Sequence, residues 1–400
     1  MSTLSFVERV ELEFSGNHFS HALCLEDVDN DGLNELAIGN VVGTLAVFKS
    51  VESSKPWKSC TDLGNLTCVG AGDLFNISKN VLIAISAEGD CYIFDFTDVS
   101  KEVGTILPLC VKQITPNVKA MEIADLGCCG QHDLFVGLTD RNVKSYRWKQ
   151  ATGDPVTDGP LEGSLVLQQS FHFVGQVGSL SVGYTSGGDK RLLISQPGGT
   201  YIPVCADGSS SNSDRLIQLM TVGNPMRSQP EAPTEVVAGI SDGSDSPAST
   251  VATASLDTVR FLKDDQKQWE LCLEHSFFTI GKLKILANGS DSIVVCSWDG
   301  LTYVIDHNKS FVRFQFEENV CAFHAGQYGI GTNRSCLVYT TFSNRILVYY
   351  NIQLKSMSPS NLLIAMSKED VPHDIKERLS KLDAVEKRKL LSQCLYGPSS

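Results

Sequence analysis

The chain has 400 residues, 42% of them hydrophobic and 20% charged, with a net charge of -13. That length buries a large core, and the acidic balance disfavours a general nucleic-acid binder, which needs a basic face to neutralise phosphates. The 13 cysteines form an odd set without a CxxC pair, which argues against a secreted disulfide framework or a zinc site and for thiols used as small core hydrophobes.

The opening stretch MSTLSFVERVELEF has no basic region followed by a continuous apolar run, and no window approaches ~18 uninterrupted apolar residues. The expectation is a cytoplasmic chain with no signal peptide, no membrane span and no nucleic-acid partner. N-x-[ST] triplets start at Asn65, Asn76, Asn288, Asn308 and Asn333. Without export they read as coincidence. Phe6, Val10, Leu12 and Phe14 alternate with polar residues, so this stretch reads as a strand with no hairpin partner of its own.

Next comes LEDVDNDGLNELAIG. Asp27, Asp29, Asp31 and Glu35 offer oxygens at positions 1, 3, 5 and 9, Gly32 allows a sharp turn, and Leu33 can add a backbone carbonyl. Calcium takes six to eight such oxygens. An EF-hand needs a bidentate Glu at position 12, where this chain has Ile38, and the segment that follows reads as strand. A polar turn is the competing reading, since Asp and Asn are turn formers. Carboxylates ~4 Å apart repel by a few kcal/mol per pair at an effective dielectric near 20. Spacing, glycine and closing acid together favour one structural calcium on Asp27, Asp29, Asp31, Leu33 and Glu35. No other cofactor and no catalytic residue is expected.

The frame then recurs. Asp27, Asp73 and Asp125 each precede an apolar run by nine residues, at Leu36–Gly39, Leu82–Ile85 and Leu134–Gly137. Four more runs begin at Leu192, Val251, Ile293 and Leu337. Each is followed by a turn and a second strand-like stretch, such as AEG before DCYIF and WDG before LTYVI. Gly, Asn and Asp suit tight hairpins because they tolerate positive φ. The second and third loops keep the frame but lose most of the carboxylates. A further strand fits before each unit, for example at Leu66–Gly70 and Val118–Ile123. Seven strand-turn-strand units predict an all-β, seven-bladed β-propeller over residues 1–352, closed by the N-terminal strand lying beside Ile346–Tyr350. A pair of β-sandwiches is the alternative. Ala151–Gly163 reads as a polar insert. Residues 206–235, rich in Ser, Pro, Asn and Gly, read as a mobile loop.

From about Ser358 the pattern becomes helical. Ile375, Leu379, Leu382 and Val385 share one face, which predicts a helical tail over residues 353–400. Its basic cluster, Lys387-Arg388-Lys389, reads as a solvated face, with an acidic or lipid partner as the other possibility.

Two motifs bear on chemistry. Gly239-Ile240-Ser241-Asp242-Gly243 matches GxSxG but lies in a turn with no helix after it, so it is a poor nucleophile elbow. Ser297-Trp298-Asp299-Gly300 reads as a hairpin with a packed aromatic. Three classes of function stand: an interaction protein, which is favoured, a hydrolase, and a calcium-binding adhesion module outside the cell.

The first loop, D-x-D-x-D-G-x-x-E-L-x-I-G, resembles the FG-GAP repeat of integrin α-subunit propellers. ERVELEFSG, DVDNDGLNELAIG, LTCVGAGD, WDGLTYVIDHN, FVRFQFEENV, LVYTTFSNRILVYY and QCLYGPSS are similar to the integrin-alpha FG-GAP repeat-containing family of the KICSTOR complex. The resemblance implies a non-enzymatic scaffold in amino-acid sensing. It would sit at the lysosomal surface beside a kaptin-like second propeller and other KICSTOR subunits. There it would recruit the GATOR GTPase-activating complex and restrain TOR kinase signalling when nutrients are scarce.

Overall fold

Hairpins reverse where the sequence supplies a residue that tolerates positive φ, Gly43 (91°), Gly89 (92°), Gly300 (85°) and Asn344 (62°), while the turn at Arg141 (68°) takes the same conformation without such a residue. The computed structural model describes residues 2–5, 8–97, 99–100, 102–150, 162–205, 230–243, 248–285 and 289–356. The chain divides into two compact units, Leu4–Gln353 and a second made of Met1–Thr3 with Leu354–Ser400. Residues 357–400, which carry the predicted helical tail, lie outside the described residues, as do 151–161 and 206–229 of the two predicted inserts. Gln353–Ser356, assigned to the tail, is a strand paired with Ser2–Ser5. The long predicted loop also ends earlier than expected, because Thr234–Ala238 is a strand.

The first unit is an all-β propeller. Its inner strands Leu23–Glu26, Leu66–Gly72, Val118–Ala124, Leu180–Tyr184, Thr234–Ala238, Gln266–Lys284 and Val320–Ile330 pack each beside the next, and the last returns to the first. A closed succession of inner strands is what separates a propeller from stacked sandwiches. The blades are antiparallel. In the third, Val118–Ala124, Asp133–Leu138, Asn142–Gln150 and Gly163–His172 follow in chain order. In the first, Gly104–Thr105 adds a short parallel strand to the outer edge.

The blade count differs from the sequence reading. Counted by hydrogen-bonded sheets the ring has six blades where seven were expected, because the fifth and sixth hairpin units share one six-stranded sheet. Gln266–Lys284 runs unbroken from one unit into the next. Its early residues pair with Thr250–Lys263, and Phe277 to Lys284 pair with Asp291–Ser297.

The N-terminal strand closes the ring as expected. Glu8–Leu12 is the outer strand of the last blade, with Leu12 opposite Ile346 and Glu8 opposite Tyr350. The core lies between facing blades. Leu25, Leu36, Ile38 and Phe48 of the first blade pack against Tyr328, Val338, Ile346 and Val348 of the last, with Leu12 beside them. Middle strands buried on both faces, such as Glu35–Gly39, Leu45–Phe48, Val81–Ser86 and Leu301–Ile305, supply the cohesion at ~25 cal/mol per Å² of apolar surface. The described cysteines are free, and burial pushes the thiols of Cys68, Cys91 and Cys296 up to about 12.

Candidate functional site

The acidic loop joins the inner strand Leu23–Glu26 to Glu35–Gly39. Its backbone turns at Asn30 (φ 64°) and Gly32 (φ 86°). The Asp27 carboxylate accepts from Asp31 N at 3.2 Å and Gly32 N at 2.9 Å. Asp31 Oδ1 accepts from Leu33 N at 2.9 Å, and Glu35 Oε2 accepts from Val28 N at 3.0 Å. Leu33 thus enters through its amide. Asp27, Asp29 and Glu35 each bring one oxygen into a group within 4.8 Å of one another. Asp31 is not a member of that group.

A residue not singled out in the sequence completes the cluster. Lys49 follows the strand Leu45–Phe48, and its ammonium reaches Asp29, Asp31 Oδ2 at 2.9 Å and Glu35 Oε1 at 3.9 Å. The Trp57 ring lies 5.0 Å from it. The signal for Lys49 was cross-strand register: Leu36 stands opposite Phe48, which brings Lys49 to Glu35. Burial disfavours the Lys49 charge, but its bonds to Asp29 and Asp31 outweigh this and hold its pKa above the ordinary lysine value. Glu35 is fully buried, and burial pushes its carboxyl up to about 8. Asp29 Oδ1 and Glu35 Oε1 are buried without a hydrogen-bond donor. Two orphaned carboxylate oxygens beside Asp27 are a donor set of the kind a hard cation takes. Lys49 already supplies one positive charge to it.

The repeats share the loop's backbone without its charge. Asp73 accepts from Ile77 N at 2.9 Å and Ser78 N at 2.8 Å, and Asp125 from Cys129 N at 3.1 Å and Gly130 N at 2.7 Å. These are the same +4 and +5 positions that Asp27 uses. Positive φ recurs at Asn76 and Ser78, and at Cys128 and Gly130. The first Asp of each loop is therefore a turn builder. Neighbouring loops are also clasped. Asn80 N donates to Asn30 Oδ1 at 2.7 Å, His132 N donates to Asn76 Oδ1, and Asn34 N donates to Asn333 Oδ1 at 2.8 Å. Asn76 and Asn333, set aside above as chance glycosylation triplets, tie blades together.

A central cavity of about 800 Å³ lies between the inner strands, lined in part by His21, Glu26, Glu122, Glu235, Lys282 and His324. Burial pushes Glu26 up to about 7; burial and the Glu26 charge push Glu122 up to about 8. Lys282 Nζ donates instead to the carbonyls of Ala238 (3.0 Å) and Gly239 (3.1 Å). His21 Nε2 lies 3.9 Å from Glu235 Oε2. Burial lowers His324 to about 4.

The GxSxG serine sits in a turn after the strand Thr234–Ala238. His307 Nε2 lies 3.1 Å from the Ser241 carbonyl, and Ser241 Oγ accepts from Gly243 N at 3.1 Å. The imidazole contacts the backbone and not the hydroxyl, so no nucleophile-base pair is set up there. Asp265, read with Asp264 as a solvated turn, instead takes a bidentate bond from the buried Arg191 (2.6 and 2.8 Å) and a third from the Tyr201 hydroxyl at 2.6 Å.

Comparison with known proteins fits this architecture. The family model described as integrin-alpha FG-GAP repeat-containing protein 2 matches residues 49–354, a segment that begins after the acidic loop. The KICSTOR complex protein ITFG2 of Mus musculus is 37% identical over 436 aligned residues, covering 100% of this chain and 97% of the relative. Its Bos taurus counterpart is 37% identical over 396 residues, covering 91% of this chain and 74% of the relative. Among solved structures, BBS1N from a crystal of its complex with ARL6DN, soaked with lead, superposes with a TM-score of 0.61. That pair is 14% identical over 89% of this chain and 98% of the other, which bears on the fold alone. With the family model spanning most of the propeller and a relative matched along its whole length, the chain belongs to the integrin-alpha FG-GAP repeat-containing protein 2 family.

Proposed function

We propose that this chain is a non-enzymatic scaffold subunit of a KICSTOR-like complex. In this reading it works in the cytoplasm at the lysosomal membrane surface, beside a kaptin-like second propeller and the other subunits. There it helps recruit the GATOR GTPase-activating complex and restrains TOR kinase signalling on nutrient deprivation. The observation that carries the reading is its 37% identity, along its full length, to a KICSTOR complex protein. A propeller that presents loops and rims while its serine motif faces backbone supports binding over chemistry. Among the described residues no helix is long and apolar enough to cross a membrane. The test is native purification of the tagged chain from starved cells. The expected result is a second propeller at fixed stoichiometry, with TOR activity persisting in starved cells that lack the chain. Repeated recovery as a free monomer would overturn the proposal.

Seven repeat positions around the ring fit the same reading. Within Thr250–Lys263, Leu256 has a φ of 50°, and Asp264 N donates to Ser249 O at 3.2 Å. These support a doubling back inside the six-stranded sheet, which would part it into two blade-sized halves.

The first loop is proposed as a conditional cation seat. Asp27, Asp29 and Glu35 would hold a structural calcium, with Asp31 and the Leu33 carbonyl as further donors, once Lys49 moves aside. Support comes from the two orphaned buried oxygens. Calcium in the millimolar range should raise the melting temperature of the chain relative to chelator, and Asp29→Ala should abolish the rise. Identical melts with and without calcium would retire the seat.

A further inference from the structure

One exposed patch of the propeller has the composition of a docking site. Trp298 is 49% exposed and Phe342 58%. Both sit on hairpin turns, one after Asp291–Ser297 and the other after Thr332–Thr341. Trp298 stacks on Phe278 with ring centroids 4.1 Å apart, and Phe342 lies 6.3 Å from Trp298. Large aromatic rings left in water are costly unless something covers them.

The patch is held rigid. Val320 N donates to the Trp298 carbonyl at 2.9 Å, and Phe342 N donates to Asn319 O at 3.2 Å. Both turns therefore hang on the same connection between the sixth and seventh hairpin units. Gln315 Nε2 donates to Asp299 O at 2.8 Å, which anchors the first turn again. A fixed aromatic anchor loses little conformational entropy on binding, which is why such residues dominate interfaces.

The rim is acidic. Asp299 adjoins Trp298 in the same turn and pairs with His275 at 2.8 Å. Glu318 and Glu11 flank Arg345, and Ser343, next to Phe342, donates to Glu318. Three carboxylates thus face one guanidinium and one imidazole. A second copy of this chain would bring the same acidic rim against this one, and an anionic membrane would be repelled in the same way.

We propose that the Phe278–Trp298–Phe342 patch is a docking surface for a basic amphipathic segment of a partner protein, one that sets apolar side chains on the aromatic stack and Lys or Arg on the rim. The proposal rests on the scaffold reading and names the chemistry of one of its contacts.

The test uses the full chain and two fluorescein-labelled synthetic 18-residue peptides, one of Leu, Phe and Lys with its apolar residues on one helical face, the other with Glu for Lys. The Lys peptide is expected to bind saturably and the Glu peptide not. Trp298→Ala should weaken binding about 30-fold, the scale of a hot-spot residue. Phe342→Ser, a change at a more exposed position, guards against a folding failure at Trp298. Asp299→Lys with Glu318→Lys should weaken the Lys peptide and admit the Glu peptide. Equal binding of both peptides to the unaltered chain would overturn the proposal. So would binding indifferent to both aromatic variants, or concentration-dependent dimerisation or uptake by anionic vesicles that Trp298→Ala removes. Failure here leaves recovery of the native complex untouched, so the two readings fail separately.

Discussion

Glu122 and Glu26 face one cavity from different blades, and Lys282 spends its donors on carbonyls. The proton is therefore favoured on Glu122 in the folded state. A carboxyl raised to about 8 when folded, against an ordinary value near 4.5 unfolded, contributes stability that is full at low pH and is lost as pH rises through 8. Glu122→Gln should leave stability near that of the parent at pH 5 and exceed it at pH 9 by up to about 4 kcal/mol, at about 1.4 kcal/mol per pH unit between 5 and 8. Chemical denaturation at the two pH values checks this; a gain independent of pH would mean the substitution acts by packing alone. Lys49 is the second telling residue. Lys49→Met strips the positive charge from Asp29, Asp31 and Glu35 and should cost about 2 kcal/mol in chelator, between an exposed pair and a buried one. Calcium should restore more stability to this variant than to the parent, since ligand binding to the native state stabilises in proportion to ln(1 + [L]/Kd). A variant that melts alike in calcium and chelator would show that the oxygens take no cation.

At the scale of the loop and its strands, the repeating Asp is structural wherever it stands. Asp73→Ala leaves the Ile77 and Ser78 amides without their acceptor and should lower stability by about 1–2 kcal/mol, with no dependence on calcium. Urea unfolding of this variant measures it. Hairpin turns were legible because they need particular backbone angles. Gly43 has a φ of 91°, and a Cβ there would lie 2.6 Å from the Gly64 carbonyl oxygen, so chemistry and space both select glycine. The merged sheet was harder to read. Gln266 to Ile280 contains no Gly, Pro, Asn or Asp, so nothing in the chain breaks the strand between two units. Counting hairpins gave seven units, while counting hydrogen-bonded sheets gives six. The Arg191–Asp265–Tyr201 cluster escaped notice because its members lie 10 to 74 positions apart. Only the approach of two strands makes Asp265 the half-buried partner of a buried arginine.

For the whole ring, closure depends on one strand from the start of the chain. Leu12 is 3% exposed and packs with residues of the first and last blades. Leu12→Ala should cost about 2–4 kcal/mol, as a buried Leu-to-Ala cavity does. Removing the strand Glu8–Leu12 would bare the edge of Ile346–Tyr350 and should convert a single unfolding transition into aggregation on heating. Calorimetry and light scattering report both outcomes. A truncated chain that melts once, reversibly, at the parent temperature would show that the strand does not close the ring.

The one-dimensional pattern determined the local events: where hairpins turn, which strands are apolar, that the unit repeats, and that the opening segment needed a partner. These depend on φ preferences and period-two burial, which each residue carries with it. The tertiary structure decided what depends on neighbours distant in sequence. It put Lys49 among the loop carboxylates, turned Asp265 toward Arg191, let one strand serve two units, and gathered Trp298 and Phe342 onto one surface. Electrostatic pairing and aromatic contact act over a few ångströms through space, and only the closing of the ring sets those distances.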